Sequence, residues 1–352
     1  MPLARPPGRW HARSDLTHPG LAGQQTRTTR PGYTGTAMTD LTVSGDRAST
    51  GDPILDRALL AVGRTRALGL HFYGHFIGIA GGQASTGDSQ LAIDGEPEGI
   101  GAPGVSAVAL ATVADLAIGA AIRSHLERGA RLATATLTVQ HPQEPVAGPV
   151  TAVGEAEDGT AEQRVGRCVL RGPDGRAVGY AQGWFAALPP PPGWVQRPMP
   201  WEFDELPAIT VPAQSDLSRD EEAAIVAARA AAERARARGT SISEELLHFR
   251  WHPSADDHAI GDLTNGPELA NRVGHIQGGA MYGAAAIVAA QAVEAPLSKL
   301  VEGQYLFLRP GDGATLHGEG IVLRRGRLAS FTEARLSVDG KLVGVGLFSF
   351  RG

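Results

Sequence analysis

Two adjacent glycines, Gly278 and Gly279, stand at the start of a long run of small apolar residues, in the segment NRVGHIQGGAMYGAAAIVAAQAV at residues 271–293. The run predicts a buried helix, although glycine lowers helix stability and rarely begins a helix. The first turn of a helix presents backbone N–H groups that have no intrahelical acceptor, together with a partial positive charge. The glycine pair therefore predicts a close approach to these amides, either by a ligand or by another part of the packed chain.

A single acidic residue interrupts the other long apolar run of the chain. Asp115 lies in LATVADLAIGAA, with apolar residues on both sides. An unpaired carboxylate in such surroundings costs several kcal/mol or has its pKa raised. We interpret Asp115 as a catalytic group, either a general base that activates water or a direct nucleophile, and the sequence leaves both roles open. The alternative is a structural carboxylate that binds a backbone amide or an arginine.

Two halves of the chain repeat the same landmarks in the same order. The triplet LHF occurs at residues 70–72 and 247–249, and each copy follows a predicted helix. The first helix is expected to begin at Asp52-Pro53, with proline at the first helical position. The second is expected to begin at Ser218, where Glu221 three residues later completes a capping box.

After each triplet come a long small-residue helix, a strand that ends at proline and glycine, and a hairpin. The paired hairpin landmarks are Asp174-Gly175 with Asp339-Gly340, and Val178-Gly179 with Val343-Gly344. This order predicts a tandem duplication. Within it, His71 and His248 are expected to begin matching strands, and so to mark the fold and not the chemistry.

Each half is thus predicted to contain a strand, a long buried helix and several antiparallel strands, an α+β arrangement. The pattern N-x-x-G-x-I-x-G-G at residues 271–279 resembles the signature of hotdog acyl-CoA thioesterases of the phenylacetyl-CoA (PaaI-like) branch, and the closing DG-x-x-V-G pattern is similar to theirs. The resemblance implies two tandem hotdog units, each a long central helix wrapped by a curved antiparallel sheet, which form a double hotdog. It also implies hydrolysis of an acyl-CoA or related acyl thioester.

The duplication divides the chain into four segments. Residues 1–51 are rich in Gly, Pro, Thr and Arg, and we expect a disordered N-terminal extension. Residues 52–188 are expected to form the N-terminal hotdog unit, and residues 189–217 a proline-rich linker. Residues 218–352 are expected to form the C-terminal hotdog unit with its preceding helix.

In the thioesterases that the chain resembles, one unit supplies the glycine-started helix with an upstream asparagine, and its neighbour supplies a carboxylate from the middle of its own helix. Here the halves divide these groups, because the first has the carboxylate and the second has the asparagine and glycines. The matched positions are Asp115 with Ala286, Ala107 with Gly278, Val108 with Gly279, and Ile100 with Asn271. The resemblance therefore implies one working composite site between the halves and one pseudo-site that has lost its function.

The catalytic residues implied by this comparison are Asp115, Asn271 and Gly278, with the Gly278 N–H stabilising the oxyanion that forms on the thioester carbonyl. Substrate contacts are assigned to Gly279, Gln277 and Thr134.

Gln277 departs from the family pattern, which usually has histidine before the two glycines. His275 lies two residues earlier, and we assign it no catalytic role. Thr134 is preferred over Thr112 and Thr136 as the hydroxyl that holds the attacking water, because similar enzymes often carry serine or threonine on that strand.

Composition limits the other classes of function. The 352 residues carry a net charge of −5, which gives no sign of a nucleic-acid or anionic-membrane partner. The single cysteine excludes an internal disulfide and fits a cytoplasmic protein. No metal-ligand cluster, phosphate loop or nucleotide fingerprint stands out in the sequence, so no cofactor is expected. We expect an acyl-CoA thioester as the substrate, no nucleic-acid or membrane partner, and a homo-oligomer.

Two alternatives stay open. One is a non-catalytic acyl-binding or assembly protein, which the degenerate pseudo-site favours. The other is a hotdog hydratase or dehydratase, although the D-x-N-x-x-H type of pattern that those enzymes use is not found in the sequence.

Overall fold

The computed structural model describes most of the chain from residue 43 onward. The described residues are 43–44, 49–69, 71–95, 104–127, 130–141, 146–157, 159–189, 199–203 and 206–352. Leu70, Ile100, most of residues 1–51, and residues 190–198, 204 and 205 of the predicted linker lie outside these ranges.

Helices and strands follow one another in a repeated order. The first half contains β1 (Val43–Ser44), α1 (Pro53–Leu68), α2 (Phe72–Phe76), β2 (Ile79–Ser85), β3 (Asp88–Ile93), α3 (Ala107–Arg123), β4 (Arg131–Gln140), β5 (Val150–Ala156), β6 (Gln163–Arg171) and β7 (Ala177–Leu188). The second half contains β8 (Ile209–Thr210), α4 (Arg219–Arg238), α5 (Ile242–Leu246), β9 (Arg250–His252), β10 (His258–Thr264), α6 (Gly278–Val293), β11 (Leu300–Phe307), β12 (Thr315–Arg324), β13 (Ala329–Val338) and β14 (Lys341–Arg351).

Twelve of these strands form one continuous sheet in the order β2-β3-β5-β6-β7-β4-β11-β14-β13-β12-β10-β9. Read outward from its centre, the order is β4-β7-β6-β5-β3-β2 on one side and β11-β14-β13-β12-β10-β9 on the other. Position for position, these are the same connections, and β4 pairs with β11 antiparallel at the join. The predicted α+β fold of two hotdog units is therefore confirmed, and the two units share one sheet.

The long helices α3 and α6 begin at matching points. Ser106 and Gln277 are their N-caps, and the two side chains accept hydrogen bonds from Ala109 N–H and Ala280 N–H. Most of each helix is buried among apolar side chains, as the runs of small residues predict. No helix in the described part of the chain has the length and apolar character needed to cross a membrane.

Two glycines of α6 allow α3 and α6 to pack closely. A Cβ on Gly279 would lie 2.4 Å from the Cα of Thr112, and one on Gly283 would lie 2.7 Å from a methyl of Val108. In the matched numbering, Gly279 corresponds to Val108 and Gly283 to Thr112. The two contacts are therefore related by the same pseudo-twofold axis as the halves, and the large residue stands in α3 both times.

The hairpin predictions hold for both halves. Asp339 and Gly340 have φ values of 49° and 71°, which a two-residue turn with left-handed positions requires. In the first half, Gly175 has a φ of 77° and its N–H donates to the carbonyl of Gly172. The capping box of Ser218 and Glu221 begins α4, and Asp52 caps α1 as predicted.

The histidines of the two LHF triplets occupy different structures, so the prediction that His71 and His248 begin matching strands is wrong. The Nδ1 atom of His71 accepts a hydrogen bond from Gly74 N–H, which makes this histidine the N-cap of the short helix α2. His248 lies after α5 and before β9. The hydrogen bond between Gly74 N–H and His71 fixes the conformation here, and the triplet does not include Gly74.

Part of the predicted disordered extension takes part in structure. Val43–Ser44 pair in parallel with Ile209–Thr210, within the segment predicted as the linker. Asp56 accepts hydrogen bonds from the Ser49 hydroxyl and the Thr50 N–H. These residues are therefore an exception to the expectation for residues 1–51, because strand pairing and helix α1 provide partners for their polar groups.

Replacing Gly279 by alanine should destabilise the protein by about 1–3 kcal/mol, because the new Cβ would meet backbone that cannot move aside. Urea denaturation measures the change. Gly119→Ala in α3 is the matched control, since its Cβ would approach no other atom closer than 3.8 Å. The control should unfold at the same or higher urea concentration, and equal losses in both variants would contradict the close-packing explanation.

Candidate active site

Asp115 lies where α3 faces the N-terminus of α6. Its side chain is buried, with 6% of its surface exposed. Oδ1 accepts a hydrogen bond of 2.8 Å from the Thr134 hydroxyl on β4, and Oδ2 accepts one of 3.1 Å from the Gln277 amide. The carboxylate of the first half is thus held by one side chain from each half.

Gly278 provides the backbone that this carboxylate approaches. A Cβ placed on Gly278 would lie 2.8 Å from Oδ2 of Asp115. Since Ala280 N–H donates to Gln277 Oε1 and Met281 N–H to the Gln277 carbonyl, the amides of Gly278 and Gly279 are left without intrahelical acceptors. The site therefore combines a buried carboxylate with the positive end of a helix.

Burial controls the ionisation of the carboxylate. Loss of hydration raises the pKa of Asp115 from 3.8 to about 6, while the hydrogen bonds from Thr134 and Gln277 oppose the rise. A group with this pKa exchanges protons near neutral pH, which suits a general base or acid. Within the described part of the chain, this carboxylate pairs with Thr134 and Gln277 and with no arginine or lysine, so the contacts do not support the alternative of an ion pair.

A β-bulge directs Thr134 toward Asp115. Thr134 pairs with Phe185 but Thr136 pairs with Trp184, so Ala135 is an extra residue on β4. Leu137 is fully buried on the inner face, and strict alternation from it would turn residue 135 inward and residue 134 outward. The bulge reverses this parity and brings the Thr134 hydroxyl to the carboxylate.

The other two threonines have different partners. The Thr136 hydroxyl accepts a hydrogen bond from Trp184 N–H at the bulge. The Thr112 hydroxyl donates to the carbonyl of Val108 within α3. Of the three candidates for holding water, Thr134 is the one that the structure places against Asp115.

Asn271 shapes the loop that leads into α6. Its Oδ1 atom accepts hydrogen bonds from the N–H groups of Val273 and His275, and its own N–H donates to the carbonyl of His275. Farther along, Gln277 N–H donates to the Leu269 carbonyl. The described contacts therefore place Asn271 in the support of the loop, and none of them joins it to Asp115.

Gly279 serves the packing of the two helices, since its Cα lies against Thr112. Gln277 has two functions that its sequence position did not reveal. Its carbonyl oxygen caps α6, and its amide nitrogen donates to Asp115. Glutamine is not one of the preferred N-cap residues, so the sequence carries no signal for the first function.

The pseudo-equivalent site contains neither the carboxylate nor the two side chains that bind it. Ala286 replaces Asp115, and Leu300 replaces Thr134 at the corresponding bulge between β11 and β14. Both replacements are buried and apolar. Ser106, the counterpart of Gln277, shares a hydrogen bond of 2.7 Å with Ser243 of α5 instead. The chemistry-bearing side chains therefore occur at one of the two related positions.

A separate cavity of about 290 Å³ lies along the C-terminal half of α6. Its lining includes Leu247, Phe249, Trp251, Ile287 and Gln291. Neither the carboxylate nor the glycine pair of the candidate site takes part in it. The cavity belongs to the edge of the second unit and not to the composite site.

No model of a known protein family and no curated protein matches the chain. Among solved structures, it is similar to a conserved hot dog fold protein of unknown function from Alicyclobacillus acidocaldarius (16% identity, TM-score 0.47, covering 75% of this chain and 93% of the other). It is also similar to a protein from Novosphingobium aromaticivorans described as a thioesterase (13%, 0.45, 74% and 94%) and to the tesB protein of Mycobacterium avium subs paratuberculosis (10%, 0.45, 75% and 92%). The assignment of the hotdog fold rests on the strand order and paired helices of the chain itself.

Asp115→Asn should stabilise the protein above pH 6. Between the ordinary pKa of 3.8 and the folded-state value of about 6, the folded state binds more protons than the unfolded state, so wild-type stability falls as pH rises. Asparagine does not titrate, and its advantage should grow from none near pH 4 to at most about 3 kcal/mol above pH 6. Urea denaturation of both proteins across this pH range measures the difference. An advantage that does not change with pH would contradict a carboxylate that is neutral at low pH in the folded state.

Proposed function

We propose that the chain hydrolyses acyl thioesters, with acyl-CoA as the substrate, at a single composite site between its two hotdog units. One observation carries this proposal. The Asp115 carboxylate of the first unit lies against Gly278 at the N-terminus of the central helix of the second, with Oδ2 2.8 Å from the Cβ position of Gly278. A base or nucleophile and an oxyanion donor are the two groups that acyl transfer requires.

In the general-base form of the reaction, Asp115 removes a proton from water as the water oxygen attacks the thioester carbonyl carbon. The carbonyl oxygen becomes an oxyanion next to the Gly278 N–H and the positive end of α6. When the intermediate collapses, the carbon–sulfur bond breaks and the thiolate takes the proton from Asp115. The products are a carboxylic acid and the free thiol.

In the nucleophilic form, Asp115 itself attacks the carbonyl carbon and expels the thiolate, which leaves a mixed anhydride that water then hydrolyses. Both forms need the ionised carboxylate. Thr134 and Gln277 act as positioning residues in either case, because each donates to one carboxylate oxygen and fixes its orientation.

Asp115→Asn should reduce kcat/KM for acyl-CoA hydrolysis by at least about a hundredfold, because a general base typically contributes 10²–10⁴ to the rate. In the wild type, activity should rise with pH through about 6, where Asp115 loses its proton, and then level off. The asparagine variant should lack this dependence. Release of free thiol, followed over pH together with a melting curve, tests both statements.

Unchanged turnover in the folded Asp115→Asn variant would refute the catalytic assignment. After a single turnover in ¹⁸O-labelled water, label in the Asp115 carboxylate would establish the nucleophilic form, because only that form makes an anhydride whose Asp115 carbonyl water can attack. Tight binding of acyl-CoA without any turnover by the wild type would favour the non-catalytic acyl-binding protein.

Gly278→Val should abolish most of the hydrolysis, since its side chain would displace the Asp115 carboxylate and block the approach of the carbonyl oxygen. Loss of an oxyanion donor alone typically costs 10²–10³ in kcat, so we expect at least about a hundredfold reduction. Ala107→Val is the matched control, because Ala107 begins α3 at the equivalent point and belongs to the pseudo-site. Equal losses of kcat in two folded variants would contradict the single-site proposal.

A further inference from the structure

Gly119 is the helical glycine that packing does not explain. A Cβ on any of five other glycines in the described helices would lie less than 3.0 Å from a neighbouring atom, and these are Gly63, Gly74, Gly278, Gly279 and Gly283. A Cβ on Gly119 would make only ordinary contacts, at 3.8 Å from Cε1 of Phe185 and 3.9 Å from Cδ2 of Leu132. Its backbone is helical, so a left-handed conformation does not require glycine either. A glycine here lowers helix stability without a structural reason.

The position of Gly119 relates it to the candidate site. It follows Asp115 by four residues, so the two lie on the same face of α3, about 6 Å apart along the axis. On the facing strand, Leu132 precedes Thr134 by two residues and shares its face. Phe185 is the β7 partner of Thr134. Gly119 and Leu132 therefore lie beside Asp115 and Thr134, one step farther along the same faces of α3 and β4.

This continuation is apolar and open to solvent. Gly119 and Leu132 are both partly exposed, and Phe185 is buried beneath them. Beyond them, the Arg123 guanidinium donates a hydrogen bond of 3.0 Å to the Ala130 carbonyl, which joins the helix to the approach of β4. The missing Cβ of Gly119 thus leaves a shallow apolar space between α3 and β4, one helical turn beyond Asp115 and before this hydrogen bond, and we call it the groove.

The second unit has alanine at the same point. Ala290 matches Gly119 in the aligned helices, and its unit lacks the catalytic carboxylate. Glycine therefore occurs at this point only in α3, the helix that bears Asp115. This is expected if the composite site needs open space beside the carboxylate.

We propose that the groove formed by Gly119, Leu132 and Phe185 binds the acyl group of the substrate, and that Gly119 sets the space available to it. The inference rests on the proposed function and specifies its substrate class. Acyl groups that extend about 6 Å or more beyond the thioester carbonyl, such as phenylacetyl or hexanoyl, would contact residue 119. The pantetheine arm fits this groove poorly, because its two amides would face apolar side chains without hydrogen-bond partners.

The test compares kcat/KM for acetyl-CoA, hexanoyl-CoA and phenylacetyl-CoA in the wild type, Gly119→Ala and Gly119→Leu. The wild type should prefer the two larger substrates. Gly119→Leu should lose about tenfold or more with hexanoyl-CoA and phenylacetyl-CoA and little with acetyl-CoA, since one methylene in an apolar site changes selectivity by 10-fold or more. Gly119→Ala should melt at a higher temperature than the wild type and show a smaller loss in the same direction.

Ala290→Gly is the matched control, because it makes the reverse exchange at the equivalent position of the other unit. It should melt at a lower temperature and keep the wild-type order of substrates. Equal losses for all three substrates in folded Gly119→Leu, or no loss at all, would overturn the inference.

A binding measurement separates the inference from the proposed function. Calorimetric titration with the same three thioesters should show that Gly119→Leu weakens the binding of phenylacetyl-CoA but not of acetyl-CoA, even if no thioester is hydrolysed. Selective loss of phenylacetyl-CoA binding without any hydrolysis would refute the proposed hydrolysis and support the acyl groove. Absence of both binding and hydrolysis in the wild type would overturn both.

Discussion

The close crossing of α3 and α6 is the contact on which the rest of the site depends. Gly279 lets the backbone of α6 come within van der Waals distance of Thr112, and this proximity places the first turn of α6 beside the middle of α3. A side chain at position 279 would separate the helices and move the Gly278 amide away from Asp115. The glycine pair that opens the helix therefore has two functions, because one glycine sets the distance between the helices and the other lies against the carboxylate.

Local physical rules explain how much of the fold could be predicted from the sequence. The hairpin at Asp339-Gly340, the capping box at Ser218 and the long small-residue helices depend on near neighbours, so their signals are readable in one dimension. The repeated order of these signals then indicated the tandem duplication. The prediction for His71 failed because the same triplet has different surroundings in the two halves. His71 is the N-cap of the short buried helix α2, and this role depends on residues outside the triplet.

The site was predictable only in part, for a similar reason. The resemblance to hotdog thioesterases implied that Asp115 and Gly278 face each other, and matching helix registers showed that each half has only one of the two groups. The contact of Thr134 depends on a single extra residue, Ala135, which reverses the alternation of β4. Neither the bulge nor the second hydrogen bond of Gln277 has a distinctive sequence pattern, because each is specified by the partner strand or helix.

The pattern of replacements between the halves follows from the composite geometry. Each site takes its carboxylate position from one half and its helix N-terminus from the other, so Asp115 belongs with Gly278, and position 286 belongs with position 107. The alanines at both of the latter positions therefore fall in the same pseudo-site, although they stand in different halves of the sequence. With alanine at position 107, a buried carboxylate at position 286 would carry the cost of desolvation without a glycine pair beside it. Ala286 avoids this desolvation cost, whereas the chain bears it at Asp115, a buried carboxylate that faces the N-terminus of α6.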